Sequence, residues 1–284
     1  MKYYFFKRTL LACGMCLMLV LTSGCIVINV GDYPIQKRFE RKIELSEPML
    51  PGASFWADTY NGSITIKGMD VMECTITATI IAHAEDEIDA QRLAEETTVE
   101  LLPINGGLEV IIDKPQSKRR RSVSVNLDIS IPNQVDLDIT TKNGEVIISD
   151  VMGDVRGKSY NGEIIAEITS GDVQLETYNG DVSCKSISGR AQITSYNGDL
   201  EAIYSGDGAS PCDISMKTYN GSIDFISPPG FSAIINASTQ NGSIKSDLPI
   251  KVTGKSKKNK LRGTLGRGRG RLYLASYNGS IKIE

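Results

Sequence analysis

The sequence predicts an all-β fold, a single-stranded right-handed β-solenoid with coils of about eighteen residues. The first observation is a recurring Asn-Gly pair: Asn143-Gly144, Asn161-Gly162, Asn179-Gly180, Asn197-Gly198 and Asn220-Gly221. The first four of these pairs are spaced eighteen residues apart. The second is a glycine halfway between these pairs, as at Gly153 and Gly171. The third is the alternation of apolar and polar residues between glycines, which is typical of strands with one buried face.

Each coil is predicted to have two corners and two short strands. Glycine provides the backbone freedom that a corner needs, and asparagine amides stacked at strand spacing can hydrogen-bond along a column. Asn-Gly also forms two-residue hairpins, so a hairpin meander is the competing fold. The strict alternation of Asn-Gly with Ser-Gly or its equivalent favours the solenoid. An apolar residue follows each Asn-Gly glycine by two positions, and we expect one buried column: Ile64, Val146, Ile164, Val182, Leu200, Ile223, Ile244 and Ile281.

The predicted β-strand-repeat domain covers residues 37–284 without a linker and is most regular over 137–225. Its first part is less repetitive, with alternating strands at 73–82 and 122–131. Residues 85–98 are predicted to form a helix with an apolar stripe at Ala90, Leu93, Ala94 and Thr97. Since an open solenoid end exposes unpaired strand edges, we expect these strands and the short helix to form a cap.

The N-terminus has the features of a lipoprotein signal peptide over residues 1–24. A basic start precedes an apolar run at 9–21, which is too short for an ordinary membrane span. The stretch 21-LTSGC-25 resembles a lipobox, although Thr22 stands where Leu is usual. Cys25 would carry the lipid, and residues 25–36 would be a short tether. The alternatives to a lipoprotein signal peptide are an ordinary signal peptide and an uncleaved anchor. Ile26 favours the outer membrane if the cell is Gram-negative.

Composition excludes several classes of function. The net charge is −3, so the whole chain lacks the positive charge expected of a nucleic-acid-binding protein. Outside the signal peptide, Cys74, Cys184 and Cys212 remain beside Cys25, and their spacing fits no zinc pattern. Cys184 alternates with apolar residues inside a strand and is predicted to be a small buried hydrophobe. No metal site and no cofactor are predicted.

Several of these features together resemble a known family. They are 21-LTSGC-25, the recurring Tyr/Thr-Asn-Gly-x-Ile/Val, the helix inserted after the second strand, and 263-GTLGRGRGRLYLASYNGSIKI-283. In them the chain is similar, over about residues 37–284, to the bacterial β-strand-repeat family called "putative adhesin", formally a domain of unknown function. The resemblance implies a location in the cell envelope, an association of some relatives with envelope stress, and no catalytic residues.

The main candidate site is a row of tyrosines at the Asn-Gly corner: Tyr160, Tyr178, Tyr196 and Tyr219. Tyr60 and Tyr277 repeat the motif nearer the ends. Each tyrosine is next to an inward Thr or Ser, so alternation predicts that its ring points outward. Flat rings with polar tips suit stacking on sugars or a protein interface. Alternatively, the rings stack on each other and shield the corner.

Two sets of charged residues are weaker candidates. Four carboxylates directly follow the Asn-Gly glycines, and a divalent cation would relieve their repulsion: Glu145, Glu163, Asp181 and Asp199. Calcium-binding rolls need more glycines per turn, so a solvated acidic edge is favoured. The basic stretches 117–121 and 255–271 fit solvated loops, or contact with anionic lipid or an acidic polymer.

No enzyme is predicted. His83 precedes the predicted helix without a visible Ser or Cys partner, and no phosphate-binding loop of the Walker type occurs. We therefore expect a non-enzymatic, lipid-anchored protein of the cell envelope that displays a rigid β-solenoid to a glycan or another envelope component. Envelope-stress sensing or a structural role through a protein partner is the second hypothesis. A β-helical carbohydrate-active enzyme is the third.

Overall fold

The computed structural model describes residues 36–116, 120–205, 212–254 and 257–284, with only the backbone of Thr169. The predicted signal peptide, Cys25 and the tether up to residue 35 lie outside the described residues. Gln36–Glu284 forms one compact unit and is nearly all β. Within the described ranges, no helix is long and apolar enough to cross a membrane.

The elements fall into three groups along the chain. The N-terminal part contains β1 (Lys37–Pro48), β2 (Ser54–Asn61), β3 (Ile64–Met69), β4 (Glu73–Ala84), α1 (Glu87–Glu96), β5 (Thr98–Ile104), β6 (Gly107–Asp113) and β7 (Ser122–Pro132). The regular part contains β8 (Asp136–Asn143), β9 (Val146–Met152), β10 (Val155–Asn161), β11 (Ile164–Ser170), β12 (Val173–Asn179), β13 (Val182–Ile187), β14 (Ala191–Asn197), β15 (Leu200–Tyr204), β16 (Asp213–Asn220) and β17 (Ile223–Ile226). The C-terminal part contains β18 (Ala233–Asn241), β19 (Ile244–Ser246), β20 (Lys251–Val252), β21 (Lys260–Leu265), β22 (Gly270–Asn278) and β23 (Ile281–Ile283).

Two long sheets face each other across the core. The first sheet has eleven strands in the order β1-β4-β7-β3-β9-β11-β13-β15-β17-β23-β19. The second has twelve in the order β20-β21-β18-β22-β16-β14-β12-β10-β8-β2-β6-β5. Through the regular part the chain alternates between the sheets, and each strand pairs in parallel with its neighbours. An Asn-Gly corner thus connects the second sheet to the first, which excludes the hairpin meander there.

The register repeats at the sequence interval. Ile164 lies opposite Val182, and Asn161 lies opposite Asn179. Alternating residues therefore point into the space between the sheets, as in β10, β12 and β14. The expected apolar column is confirmed, because seven of its members are buried and the eighth, Ile244, is half-buried on the short strand β19.

The glycines of the corners allow successive coils to approach each other. A Cβ built on Gly162 would lie 1.9 Å from the carbonyl oxygen of Gly144, which is closer than any real contact. A Cβ built on Gly180 would likewise lie 2.2 Å from the carbonyl oxygen of Gly162, and the φ of Gly180 is +155°. Glycine is required here by the close packing of backbone on backbone.

The N-terminal part adds strands at one end of both sheets, mostly in antiparallel pairs. β1 and β4 extend the first sheet beyond β7, while β5 and β6 extend the second sheet beyond β2. The predicted helix is confirmed as α1, which packs on β1 and β4. Its stripe of Ala90, Leu93 and Ala94 is buried. The helix begins at an N-cap, since the carboxylate of Asp86 accepts from the backbone N–H of Asp89 at 2.7 Å.

The C-terminal strands do not follow the order of the chain. β22 lies between β16 and β18, and β23 lies between β17 and β19. The last Asn-Gly corner is therefore inserted into the stack, with Asn278 opposite both Asn220 and Asn241. β21 and β20 then pair antiparallel at the outer edge of the second sheet.

Candidate functional site

The predicted tyrosines occupy equivalent places at the ends of successive strands of the second sheet. Each precedes the corner asparagine, and the strands pair in parallel so that Asn161, Asn179 and Asn197 are direct neighbours. Tyr160 must then lie beside Tyr178 at the spacing of the strands, about 4.8 Å. The alternation that buries the preceding Ser or Thr turns each tyrosine ring outward.

Five rings form one continuous stack, which we call the tyrosine column: Tyr160, Tyr178, Tyr196, Tyr219 and Tyr277. Successive ring centroids are 4.7–4.9 Å apart, and the ring planes are within 5° of parallel. The four tyrosines singled out from the sequence are thus brought together. The fifth joins them because β22 is inserted beside β16.

The stacking decides which parts of the rings a ligand could reach. Each side chain of the column is 40–48% exposed. The faces of the inner rings are covered by the neighbouring rings, so the exposed area consists of ring edges and hydroxyl groups. Of the two interpretations of the sequence, the one in which the rings stack on each other applies to Tyr178, Tyr196 and Tyr219, because both of their faces contact another ring.

Polar side chains take the tyrosine position at both ends of the column. Lys142 precedes the corner asparagine of β8, between Tyr160 on β10 and Tyr60 on β2. Its ammonium lies 4.4 Å from the centroid of the Tyr60 ring and donates to the Tyr60 hydroxyl at 2.8 Å. At the other end, Gln240 on β18 follows Tyr277 in the register.

A ladder of asparagine amides lies directly beside the column. Each amide nitrogen except that of Asn61, the last of the row, donates to the side-chain oxygen of the neighbouring asparagine at 2.7–2.8 Å. In spatial order the ladder runs through Asn61, Asn143, Asn161, Asn179, Asn197, Asn220, Asn278 and Asn241. The predicted hydrogen bonding along the corner is confirmed, and every bond points the same way along the stack.

Inward hydroxyl groups tie each coil to the next. Except at Asn61, the Ser or Thr two residues before each corner asparagine donates to a corner-glycine carbonyl of the adjacent coil at 2.7–3.1 Å. Ser159 donates to Gly144 and Thr177 donates to Gly162, for example. These buried hydroxyls satisfy carbonyl groups that the tight corner would otherwise leave unpaired. The corner that carries the tyrosines is consequently a rigid support.

The aspartates after the corner glycines accept hydrogen bonds from the backbone of the next coil. The carboxylate of Asp181 accepts from the backbone N–H of Asp199 at 2.8 Å, and at the other corner Asp154 accepts from Asp172 at 2.8 Å. Each carboxylate therefore binds the backbone of the next coil. Among the described residues, no group of three or more His, Cys, Asp or Glu side chains converges as metal ligands would.

A shallow groove crosses the outer face of the second sheet near the opposite corner. It measures about 440 Å³ and is lined by Trp56 and by outward side chains of neighbouring strands. Trp56 is next to Asp138 in the register, and the Arg156 guanidinium donates to Asp138 at 3.1 Å and to Gln174 at 3.4 Å. Sequence reasoning missed this site, although the chain's one Trp at an outward strand position was a signal.

Comparison with known proteins links the chain to one family. The Toastrack DUF4097 family model matches residues 108–284. A "putative cell adhesion protein" from Clostridium sporogenes is similar at 13% identity and TM-score 0.39, over 86% of this chain and 99% of that one. A "putative adhesin" from Parabacteroides merdae is similar at 11% identity and TM-score 0.44, over 87% and 96% of the two chains. A "putative adhesin" from Bacteroides fragilis is similar at 15% identity and TM-score 0.40, over 89% and 100%.

No curated protein sequence matches the chain. The family match extends from Leu108 to Glu284, which is more than half of the chain, so the protein belongs to the Toastrack DUF4097 family.

Proposed function

We propose that the protein is a non-enzymatic binding protein of the cell envelope. Lipid on Cys25 would hold it on a membrane, the outer membrane if the cell is Gram-negative. Residues 37–284 would display a rigid right-handed β-solenoid with coils of about eighteen residues. The solenoid would present the tyrosine column or the groove at Trp56 to a glycan or another envelope partner. The parallel register of Asn161 with Asn179 and of Ile164 with Val182 supports this architecture.

The tyrosine column is the observation that carries the proposal. Its rings keep 40–48% of their surface exposed while both neighbours and the asparagine ladder fix their positions. Aromatic side chains whose positions are already fixed before binding lose little conformational entropy when they bind. A row of ring edges with hydroxyl groups at regular spacing suits a repetitive partner, contacted through edges and hydrogen bonds.

The groove at Trp56 supports a glycan as the ligand. No other aromatic ring within the described residues stacks on the Trp56 indole, so its face is not covered in the way that the column rings are. Next to it are the carboxylate of Asp138, the guanidinium of Arg156 and the amide of Gln174. These side chains offer the donors and acceptors that sugar hydroxyls need, and an indole can cover the apolar side of a sugar ring.

The binding test uses the full chain, purified in detergent, on an array of glycans and envelope polymers. We expect the wild-type chain to bind selectively. If the column is the site, the double variant Tyr178→Ala/Tyr196→Ala loses this binding. If the groove is the site, Trp56→Ala loses it. Tyr273→Ala is the matched control, since Tyr273 is an exposed ring of the second sheet outside the column. Circular dichroism would show that every variant remains folded.

Three results would contradict the proposal. One is that the wild-type chain binds nothing on the array. Another is that the control variant loses binding as much as the column and groove variants do. The third is turnover of any polysaccharide by the purified chain, which would show an enzyme. The lipid anchor is tested separately, because Cys25→Ser should move the chain from the membrane fraction to the soluble fraction.

A further inference from the structure

The groove at Trp56 runs across the strands of the second sheet, and one of its two sides is a row of outward side chains. The members of this row share one register position on five neighbouring strands, from β2 to β14: Trp56, Asp138, Arg156, Gln174 and Gln192. Hydrogen-bonded strands lie about 4.8 Å apart. The row therefore offers a new side chain to a ligand at each such step.

The other side of the groove is a row of residues at the corner where these strands begin: Asp136, Asp154, Asp172 and Arg190. The carboxylate of Asp136 accepts from the backbone N–H of Asp154 at 2.8 Å, and that of Asp154 accepts from Asp172 at 2.8 Å. Asp172 accepts from the backbone N–H of Arg190 at 3.1 Å. Each member is thereby bound to the next coil, so the second row repeats at the same spacing as the first.

The floor between the two rows is main chain. Leu137, Val155 and Val173 line the groove, yet their side chains point into the core and are at most 3% exposed. Because the main chain of a parallel ladder repeats at every strand, the floor is the same at each step. Floor and sides together favour a ligand that is itself repetitive.

A neighbouring hollow continues the groove toward the C-terminal strands. It measures about 440 Å³, shares Asp172 and Arg190 with the groove, and reaches Asp213 of β16 and Arg271 of β22. The combined groove crosses seven neighbouring strands of the second sheet, from β2 to β22. At a strand spacing of about 4.8 Å it spans about 29 Å. That length suits an extended chain and exceeds what a compact small molecule would occupy.

The charges along the combined groove nearly balance, since its lining contains five aspartates and four arginines. Arg156 donates to Asp138 at 3.1 Å, and Arg271 donates to Asp213 at 2.6 Å. Arg190, between them, lies within 4.0 Å of a carboxylate on either side. These guanidinium groups already face carboxylates of the protein, so the groove does not require an anionic ligand as a counter-charge.

The end of the groove at Trp56 disfavours an acidic ligand. Within the described part of the chain, the carboxylates of Asp136 and Asp154 form no ion pair with Lys or Arg. Their negative charge lies beside the indole and would repel an acidic polymer. An uncharged sugar meets no such repulsion, because its hydroxyl groups can donate to carboxylates and accept from guanidinium and amide groups.

We propose that the groove binds one uncharged, linear polysaccharide that lies extended across the strands, with a sugar ring on the Trp56 indole. An extended β-1,4-linked glycan advances by about the strand spacing for each sugar, so about six sugars would follow the groove from Trp56 to Arg271. Gln174 and Gln192 would hydrogen-bond to successive sugars along the way. This inference rests on the proposed function and specifies its ligand.

The test is calorimetric titration of the full chain, held in a detergent without a sugar head group. The probes are β-1,4-linked oligomers of glucose and of N-acetylglucosamine, each two, four and six sugars long. We expect affinity to rise with length, since longer oligomers reach more strands. β-1,4-linked mannuronate oligomers of the same lengths are the acidic comparison and should bind more weakly.

Two substitutions locate the ligand along the groove. Trp56→Ala should weaken the binding of every length at least about tenfold, as loss of a central aromatic contact does. Gln192→Ala, four strands away, should weaken six-sugar binding about fivefold, the effect of one hydrogen bond, and leave two-sugar binding unchanged. Gln91→Ala is the matched control, because it removes the same amide from the exposed side of α1, outside the groove.

The outcomes separate this inference from the proposed function. Binding of only one of the two sugars supports the inference and identifies the ligand. Equal affinity for two and six sugars would overturn the extended ligand but leave a glycan in the groove. Preference for the mannuronate oligomers would overturn the uncharged ligand, and equal losses in Gln91→Ala and Gln192→Ala would overturn its position. If no oligomer binds, the inference fails, and the proposed function fails with it only if the array also shows no binding.

Discussion

The rings of Tyr178 and Tyr196 stack 4.8 Å apart, with an angle of 1° between their planes. That distance equals the spacing of hydrogen-bonded strands, so the backbone pairing of β12 with β14 sets the distance between the rings. We therefore expect the column to contribute to stability as well as to offer a surface. The two contributions can be separated by experiment.

Tyr178→Ala should destabilise the protein more than removal of a ring outside the column. It deletes two stacking contacts, each contributing about 0.5–1.5 kcal/mol, so we expect a loss of about 1–3 kcal/mol in the free energy of unfolding. Urea denaturation would measure it. Tyr273→Ala serves as the control and should cost less than about 1 kcal/mol. Equal losses in the two variants would show that stacking does not stabilise the coils.

Asn179→Ala should cost more than Asn241→Ala. The Asn179 amide donates to Asn161 and accepts from Asn197, whereas Asn241 forms one ladder bond at the end of the row. At about 0.5–1.5 kcal/mol for each hydrogen bond, we expect losses of about 1–3 and 0.5–1.5 kcal/mol. Denaturation midpoints of the two variants, compared with wild type, test this. A larger loss at Asn241 would contradict the ladder as a stabilising element.

The regular coils could be predicted because their signals are local. Asn161 and Gly162 mark a corner, and the alternation from Ile164 to Ile168 marks the strand after it, whatever the rest of the chain does. The same holds for α1, where Asp86 begins the helix and an apolar stripe indicates its buried face. In these stretches local pattern and final structure agree.

The contact between Tyr219 and Tyr277 could not be predicted, because it depends on long-range insertion of β22 between β16 and β18. No local pattern distinguishes that order from one that follows the chain. The groove at Trp56 also depends on three-dimensional neighbours, because its lining comes from several strands. Lys142 looks like an exception to the repeat in the sequence, yet it lies between Tyr60 and Tyr160.

Gly162→Ala should be severely destabilising. Its Cβ would lie 1.9 Å from the Gly144 carbonyl oxygen, so two coils would have to move apart. We expect a loss of about 3 kcal/mol or more, by analogy with the cost of forcing extra atoms into a packed interior. Gly106→Ala is the control, since it has φ +91° and no atom within 4 Å, and it should cost about 1–2 kcal/mol. A Gly162→Ala variant as stable as Gly106→Ala would show that the coils are not in backbone contact.

The buried thiols should make the protein less stable at high pH. Burial raises the pKa of the Cys184 thiol to about 12, against about 8.5 for a thiol in the unfolded chain. The folded state therefore keeps its proton while the unfolded state loses it. The stabilising contribution is complete below about pH 8.5 and disappears as the pH rises toward 12.

Urea denaturation at pH 7 and pH 10 measures this dependence, with Cys184→Ala as the control. Alanine fits the site, because Cys184 lies between Ala166 and Ala202 in the register. We expect a smaller loss of stability between the two pH values in Cys184→Ala than in wild type. Cys74, whose pKa burial also raises to about 12, accounts for part of the loss that remains. Rapid reaction of Cys184 with iodoacetamide in the folded protein at pH 8 would contradict its burial, because only the exposed thiolate reacts.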